Sequence, residues 1–373
     1  MKRIAILSYN HNKYSETFIA NMVKRLPCDT HYLYGGDLPM FYGNDEPFLK
    51  EDAKSKLGYA FKEWLSGKDR RTQHLEKVER YLLDNRIEAV IANYAITAFP
   101  MMEICSKHKI PLIVHFHGWT AYRQSLINAN LENYARMFQI ASAVIGVSQD
   151  MIAQLKMLGA DAKKLHLITY GPDPDIFKYR DCSTNANIFL AAGRFCDTKN
   201  PHLTILAFQK VLKSVPDAKL IMAGGDENLL NVCINLSHAL SLTDKIDFCG
   251  VLTAEQIYQR MIKSLAFVQH SATTIDGEKE GTPVAIIEAG ASGLPVIATR
   301  HGGIKDVVPD EETGLLSDEY DIDTMAANMV RIANDRTLAK RLGLAASERV
   351  NKHFTMKQYI DKLNEVIEMV VKK

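Results

Sequence analysis

The chain has 373 residues, 47% of them hydrophobic, enough to bury two cores of ordinary domain size. Lys and Arg number 45 against 44 Asp and Glu, a net charge of +1 that lacks the electrostatic footprint of a nucleic-acid binder and points to small-molecule chemistry. The 6 cysteines show no C-x-x-C spacing and read as buried thiols of a reducing, cytoplasmic compartment, and no uninterrupted apolar run reaches membrane-spanning length.

Arg3 to Tyr9 is a buried strand of parallel type, too short in its apolar run for a signal peptide. A polar loop from Asn10 to Tyr14 follows, and Ser15-Glu16-Thr17-Phe18-Ile19 opens a helix with Ser15 as its cap. Ser8 to Asn12 contains no glycine, which argues against a nicotinamide-binding G-x-G-x-x-G loop. From Pro47 to Arg71, aromatic residues such as Phe48, Tyr59, Phe61 and Trp64 alternate with Lys50, Lys56, Lys68, Arg70 and Arg71. Such a segment can dock on an anionic membrane, but acidic neighbours dilute its charge and an ordinary surface helix is the expectation.

Strand-like runs recur at Ala89–Ala92, Leu112–Phe116 and Ala143–Val147 with helix-length segments between them, the alternation of a doubly wound parallel sheet. His117 follows the second run beside Gly118, where an imidazole can meet a sugar hydroxyl or a moving proton, whereas His115 reads as a core residue. Tyr170-Gly171-Pro172-Asp173-Pro174-Asp175 is a turn cluster and reads as a hinge. Its D-x-D spacing is explained by a Pro-stiffened linker, and no metal is expected. The strand pattern restarts at Ile188–Ala192 and runs into Gly193-Arg194, with Lys199 five residues further on, just before a helix. Arg can grip a diphosphate bidentately and Lys can add a point charge, although two solvated loop cations would look the same. Lys219–Asp226 and Ile246–Leu252 are further strands that end in glycines or apolar residues, and Leu265–Gln269 delivers His270-Ser271 and the acidic loop Asp276–Glu280. Gly281-Thr282-Pro283 reads as a helix start with Thr282 capping and Pro283 in the first turn, Ser292-Gly293 as its end, and Pro295–Thr299 as a strand. Glu280 and Glu288 thus flank a helix whose free amides suit a phosphate and whose carboxylates suit sugar or ribose hydroxyls, though capping plus a solvated face would also account for them. Gly302-Gly303 mark a tight turn or a close approach to ligand. Met356–Lys373 has helical apolar spacing.

Glu280-x7-Glu288, followed by Gly293-Leu294-Pro295-Val296-Ile297 and Gly302-Gly303-Ile304, resembles the signature of retaining glycosyltransferases of family 4. The longer string from His270-Ser271 to Glu280-Gly281-Thr282-Pro283 is similar to their bacterial exopolysaccharide, colanic-acid-type branch. The resemblance implies an α/β chain of GT-B fold, two Rossmann-like doubly wound domains facing each other across a cleft. Residues 1–172 would bind acceptor, 173–186 link the domains, 187–355 bind the nucleotide sugar, and 356–373 cross back to the first domain. It further implies hexosyl transfer from a nucleoside diphosphate sugar, UDP before GDP, to a glycan or lipid-linked glycan, without metal or cofactor, with peripheral membrane contact through the first domain. In that reading Arg194 and Lys199 hold the departing diphosphate with the amides of Gly281, Thr282, Pro283 and Val284, Glu280 holds donor-sugar hydroxyls, Glu288 holds the ribose, Val251 and Leu252 flank the base, and His117 faces the reacting sugar. Two features depart from the family: the first loop lacks the glycine pair of some relatives, and Thr120 stands where an acid often follows the His-Gly. A nucleotide-sugar hydrolase or epimerase of the same fold, or a non-catalytic sugar-nucleotide binder, stays open as an alternative.

Overall fold

Runs of Ile, Val, Leu and Ala that are apolar on both faces become the central strands of two separate sheets. The computed structural model describes residues 1–11, 16–50 and 52–372. The Ser15 cap and residues 12–14 of the first loop lie outside the described residues.

The first sheet comprises β1 (Arg3–Ser8), β2 (Asp29–Tyr34), β3 (Phe41–Tyr42), β4 (Glu46–Pro47), β5 (Ala89–Asn93), β6 (Leu112–His115), β7 (Ala143–Gly146) and β8 (Leu165–Leu167), in the order β4-β3-β2-β1-β5-β6-β7-β8. All neighbours are parallel except the β2–β3 and β3–β4 pairs at one edge. The second sheet comprises β9 (Ile188–Ala192), β10 (Lys219–Ala223), β11 (Ile246–Phe248), β12 (Ala266–Gln269), β13 (Val296–Thr299) and β14 (Gly314–Ser317), all parallel, in the order β11-β10-β9-β12-β13-β14. Strand order reverses between β1 and β5 in the first sheet and between β9 and β12 in the second. Open α/β sheets bind ligands outside the carboxyl ends of strands at such points. This is where Asn10, Asn93-Tyr94, Arg194 and Ser271 emerge.

A hinge without regular strands or helices of appreciable length joins the sheets from residue 168 to 187. Asp173 anchors it: one carboxylate oxygen accepts Arg25 at 2.7 Å and the other accepts the Asp175 amide at 3.0 Å, so the D-x-D spacing serves a turn. The helix Met356–Val371 starts at a reciprocal cap between Thr355 and Gln358 and buries Tyr359, Leu363, Ile367 and Val370 in the core of the first sheet. Gly171 lies so close under this crossover that a Cβ there would sit 2.2 Å from the Met356 nitrogen.

The helix Ala53–Ser66 departs from the expectation of an ordinary surface helix. Leu57, Phe61, Trp64 and Leu65 share one face by their spacing, yet they are 72%, 62%, 79% and 70% exposed. An ordinary surface helix turns such a stripe inward. All 6 cysteines are free thiols, 4 of them buried, and among the described residues no helix is long and apolar enough to cross a membrane.

Candidate active site

The carboxyl ends of both sheets face a cleft of about 1070 Å³. His117, Arg194, Lys199, Val251, Leu252, Glu280, Gly281, Thr282, Val284 and Glu288 all line it, and Pro283 does not. Residues from 117 to 288 meet here because the chain crosses the hinge and the two sheets point their carboxyl ends at one another.

At its centre Lys199 Nζ lies 3.0 Å from Glu280 Oε1, with both side chains largely buried. Lys199 also donates to Gln269 Oε1 at 3.3 Å, and Gln269 donates to the Ser271 hydroxyl at 2.8 Å, so β12 supports the pair from beneath. Burial alone would push the Glu280 carboxyl up, but Lys199 above all, with Arg194 beside it, holds it below the ordinary value. Glu280 is therefore an anion at neutral pH, ready to accept hydroxyl donors. Its backbone is fixed as well, since the Glu280 N–H donates to His301 Nε2 at 3.0 Å and His301 Nδ1 in turn donates to Glu319 Oε1 at 2.6 Å. Gly302 and Gly303 allow this close packing: a Cβ on Gly303 would come within 1.7 Å of the Gly281 carbonyl oxygen.

The helix after this loop runs from Val284 to Ala291. Pro283 occupies the capping position that Thr282 was expected to take, and the Thr282 hydroxyl instead donates across the domain boundary to the Val147 carbonyl. Pro283 has no N–H, so the helix offers the amides of Val284 and Ala285, preceded by those of Gly281 and Thr282. None of these four has an intramolecular partner among the described residues. At the far end, Gly293 takes φ +87°, Leu294 donates back to the Ala289 carbonyl at 3.0 Å, and the helix closes where the sequence indicated.

Glu288 stands on the cleft wall beyond the amides, and burial pushes its carboxyl up to about 8. Arg194 is ion-paired with Glu227, which also lines the cleft, and its five-donor fork keeps further N–H groups available for an anion. Val251 and Leu252 follow β11, which is shorter than the predicted Ile246–Leu252 run.

His117 presents its ring at the edge of the cleft with both nitrogens engaged. Its Nε2 donates to Asn93 Oδ1 at 2.7 Å and its Nδ1 accepts the Tyr170 hydroxyl at 2.5 Å, while burial and neighbouring His115 hold the imidazole neutral, well below its ordinary pKa. A sugar hydroxyl would reach His117 only by replacing Asn93 or Tyr170. Sequence reasoning placed the loop before Glu16 at the cleft without giving Glu16 a role, and missed Asn93, Tyr94, Glu227 and His301 as members of this site. The glycine pair beside His301 hinted at a close approach and the Ser15–Ile19 helix opening at the cleft, whereas Asn93, Tyr94 and Glu227 carry no local signal.

Among the described residues, polar contacts besides the Thr282–Val147 bond hold the domains over the cleft. Arg123 pairs with Glu278 at 2.7 Å and the Ser125 amide donates to Asp276 at 2.8 Å, while the Gln149 amide donates to Asp306 at 2.7 Å.

A family model of glycosyl transferases group 1 matches residues 174–349, and one of glycosyltransferase family 4 matches residues 39–176, so the two meet at the hinge. The amylovoran biosynthesis glycosyltransferase AmsK of Erwinia amylovora is 27% identical over 258 residues, 68% of this chain and 62% of that protein. This chain thus aligns with about three-fifths of the length of such curated relatives. Among solved structures, sucrose-phosphate synthase of Thermosynechococcus elongatus superposes over 100% of both chains with a TM-score of 0.79 at 18% identity. HepE of Anabaena, solved with UDP and glucose, superposes over 99% of this chain and 100% of its own with a TM-score of 0.77 at 16% identity. At such identities the likeness speaks for the fold, which is that of GT-B glycosyltransferases. Residues 174–349 thus carry a glycosyl transferases group 1 domain and residues 39–176 a glycosyltransferase family 4 domain, the two halves of one paired-sheet architecture.

Proposed function

We propose that the chain transfers a hexosyl group from a nucleoside diphosphate sugar, UDP before GDP, to a hydroxyl of a glycan or lipid-linked glycan, with retention and without a metal, in exopolysaccharide synthesis at the cytoplasmic side. The observation that carries this reading is the Lys199–Glu280 pair beside Arg194 and four unpartnered amides in one interdomain cleft. Breaking the sugar–phosphate bond separates charge. Arg194, Lys199 and the amides of Gly281, Thr282, Val284 and Ala285 would stabilise the departing diphosphate, and preorganised groups of this kind supply much of an enzyme's rate enhancement. Glu280 would hold donor hydroxyls while an oxocarbenium-like sugar forms, and Glu288 would hold the ribose. Because Glu280 is ion-paired with Lys199 rather than poised as a nucleophile, the departing phosphate oxygen itself would take the acceptor's proton on the same face of the sugar.

A thermal-shift screen with UDP, GDP, ADP and TDP tests the donor site, since a ligand that binds only the folded state raises its melting temperature. One diphosphate, expected to be UDP, should stabilise the wild-type protein in EDTA, and Arg194→Ala/Lys199→Ala should abolish that stabilisation. Equal stabilisation of both proteins would reject the diphosphate site, and a requirement for a divalent cation would reject metal independence.

The outward stripe of Leu57, Phe61, Trp64 and Leu65 supports contact with an anionic membrane surface. Phe61→Ser/Trp64→Ser should reduce co-sedimentation with phosphatidylglycerol vesicles at least about fivefold, since each ring contributes on the order of 2 kcal/mol when removed from water. Nucleotide stabilisation should be unchanged. Undiminished co-sedimentation would remove this helix as the contact.

A further inference from the structure

The wall of the cleft opposite the diphosphate groups carries chemistry that the donor does not need. Tyr94, directly after β5, has φ +74° and ψ +145°, a region that a residue with a side chain occupies only under strain. Its neighbours hold it there. The Tyr94 amide donates to the His115 carbonyl at 2.8 Å, and Asn93 is tied to the Leu7 carbonyl at 2.8 Å and to His117 at 2.7 Å. This backbone aims the phenol at Glu16, to which it donates at 3.1 Å. Burial first, and then Glu16, raise the Tyr94 hydroxyl well above its ordinary pKa, so it stays a donor.

Glu16 sits at the capping position of the helix Thr17–Arg25 but makes no cap bond. Its Oε1 accepts Asn10 Nδ2 at 2.7 Å as well as Tyr94, and it lines the same cleft as Arg194 and Glu280. Both of these protein donors converge on one carboxylate oxygen, and among the described residues the second is open to an incoming hydroxyl. Among the described residues no cation pairs with Glu16, and nearby Arg123 is already committed to Glu278 at 2.7 Å and lies over the Trp119 ring. Trp119 lies edge-on to Tyr9 at 6.5 Å and tilted against Tyr94 at 5.7 Å, and Tyr9 is 41% exposed. An aromatic wall around a carboxylate that has no cation partner among the described residues suits a ring with many hydroxyls and no negative charge, even with the field of Arg194 reaching Tyr94.

We propose that Glu16, aimed by strained Tyr94 and bracketed by Tyr9 and Trp119, binds the acceptor through a hydroxyl of a neutral pyranoside ring, and that this wall disfavours an acidic sugar. The proposal rests on the glycosyl-transfer reading and names the acceptor class for it.

Saturation-transfer NMR on the intact protein, with and without UDP, tests it using the methyl pyranosides of glucose, galactose and mannose, with methyl glucuronide as the acidic probe. At least one neutral glycoside should show a signal severalfold stronger than the glucuronide. Glu16→Ala should abolish it, Glu16→Gln should retain part of it because an amide oxygen still accepts, and Tyr94→Phe should weaken it severalfold. Glu280→Gln should leave it unchanged. The signal of UDP should persist in all four variants, which reports an intact donor side. The proposal falls if the glycoside signal survives Glu16→Ala, if Glu280→Gln removes it instead, if the glucuronide matches the neutral sugars, or if no neutral glycoside responds. Failure of UDP alone to bind the wild-type protein would count against the donor reading, and the nucleotide-free arm would still decide for or against Glu16.

Discussion

Glu280→Gln is expected to lower kcat/KM with the true donor by about 10²- to 10³-fold while leaving stabilisation by the free nucleotide diphosphate largely intact. In the proposed reading the carboxylate is the charged partner of hydroxyls on the transferring sugar, and a hydrogen bond to a charged group contributes about 1.5–3 kcal/mol. Losing one or two of them in the transition state amounts to about 3–4 kcal/mol, at 1.36 kcal/mol per factor of ten. Glutamine keeps the shape and the His301 contact, because that contact uses the backbone N–H rather than the carboxylate. It does remove the ion pair with Lys199, so the loss is not additive with Lys199→Ala: each single variant disables part of the same unit. The fall should appear mainly in kcat, because the contacts to the sugar tighten as positive charge develops. Steady-state kinetics together with a UDP melting curve separate this from a folding defect. Activity within threefold of wild type would show that Glu280 does not hold the reacting sugar.

Glu288→Gln should have effects of opposite sign on stability and on donor binding, and both depend on pH. In the folded protein burial pushes the Glu288 carboxyl up to about 8, whereas in the unfolded chain it titrates near 4.3. The folded state therefore holds its proton over a range in which the unfolded chain has released it. The stability contributed by this group is fully present below about pH 4.3 and is lost as pH rises through about 8. Glutamine has no such loss. The variant and wild type should melt alike at pH 5, and the variant should melt a few degrees higher at pH 8.5. The difference is on the order of 2 kcal/mol, because the side of Glu288 that opens on the cleft is screened by water. Donor binding should move the other way. Ribose hydroxyls donate best to an ionised carboxylate, so the wild-type donor KM should fall as pH climbs toward 8. The variant should show a KM about tenfold higher at pH 8, without that slope. A variant no more stable at pH 8.5 than wild type, or with the same KM profile, would contradict this account of Glu288.

The sequence by itself determined the parallel sheets and the helix and strand that follow Glu280, because those features are local. Buried parallel strands such as Ala89–Asn93 are apolar over four successive positions and stand out, and Gly293 ends its helix for a conformational reason that needs no partner. The polar strand Asp29–Tyr34 was not legible, since its alternation of Asp, Thr and His reads as loop until β1 pairs with it along its whole length. The helix cap was misjudged for a related reason. Thr282 has the chemistry of a cap, but the first domain supplies the Val147 carbonyl as a competing acceptor, and a carbonyl from another domain cannot be read from neighbouring residues.

Only the tertiary structure decided which groups meet in the cleft. Tyr94 and Glu16 lie 78 residues apart, and their contact exists because β5 pairs beside β1 and both end at the same switch point. Lys199 and Glu280 are likewise joined by the adjacency of β9 and β12. Side-chain type and local period survive in a linear string of residues, whereas strand order and domain closure are collective results of burying two cores and docking them. The Glu280–Thr299 side of the cleft was therefore readable as a motif, and the Glu16–Tyr94 contact on its other side emerged only from the packing.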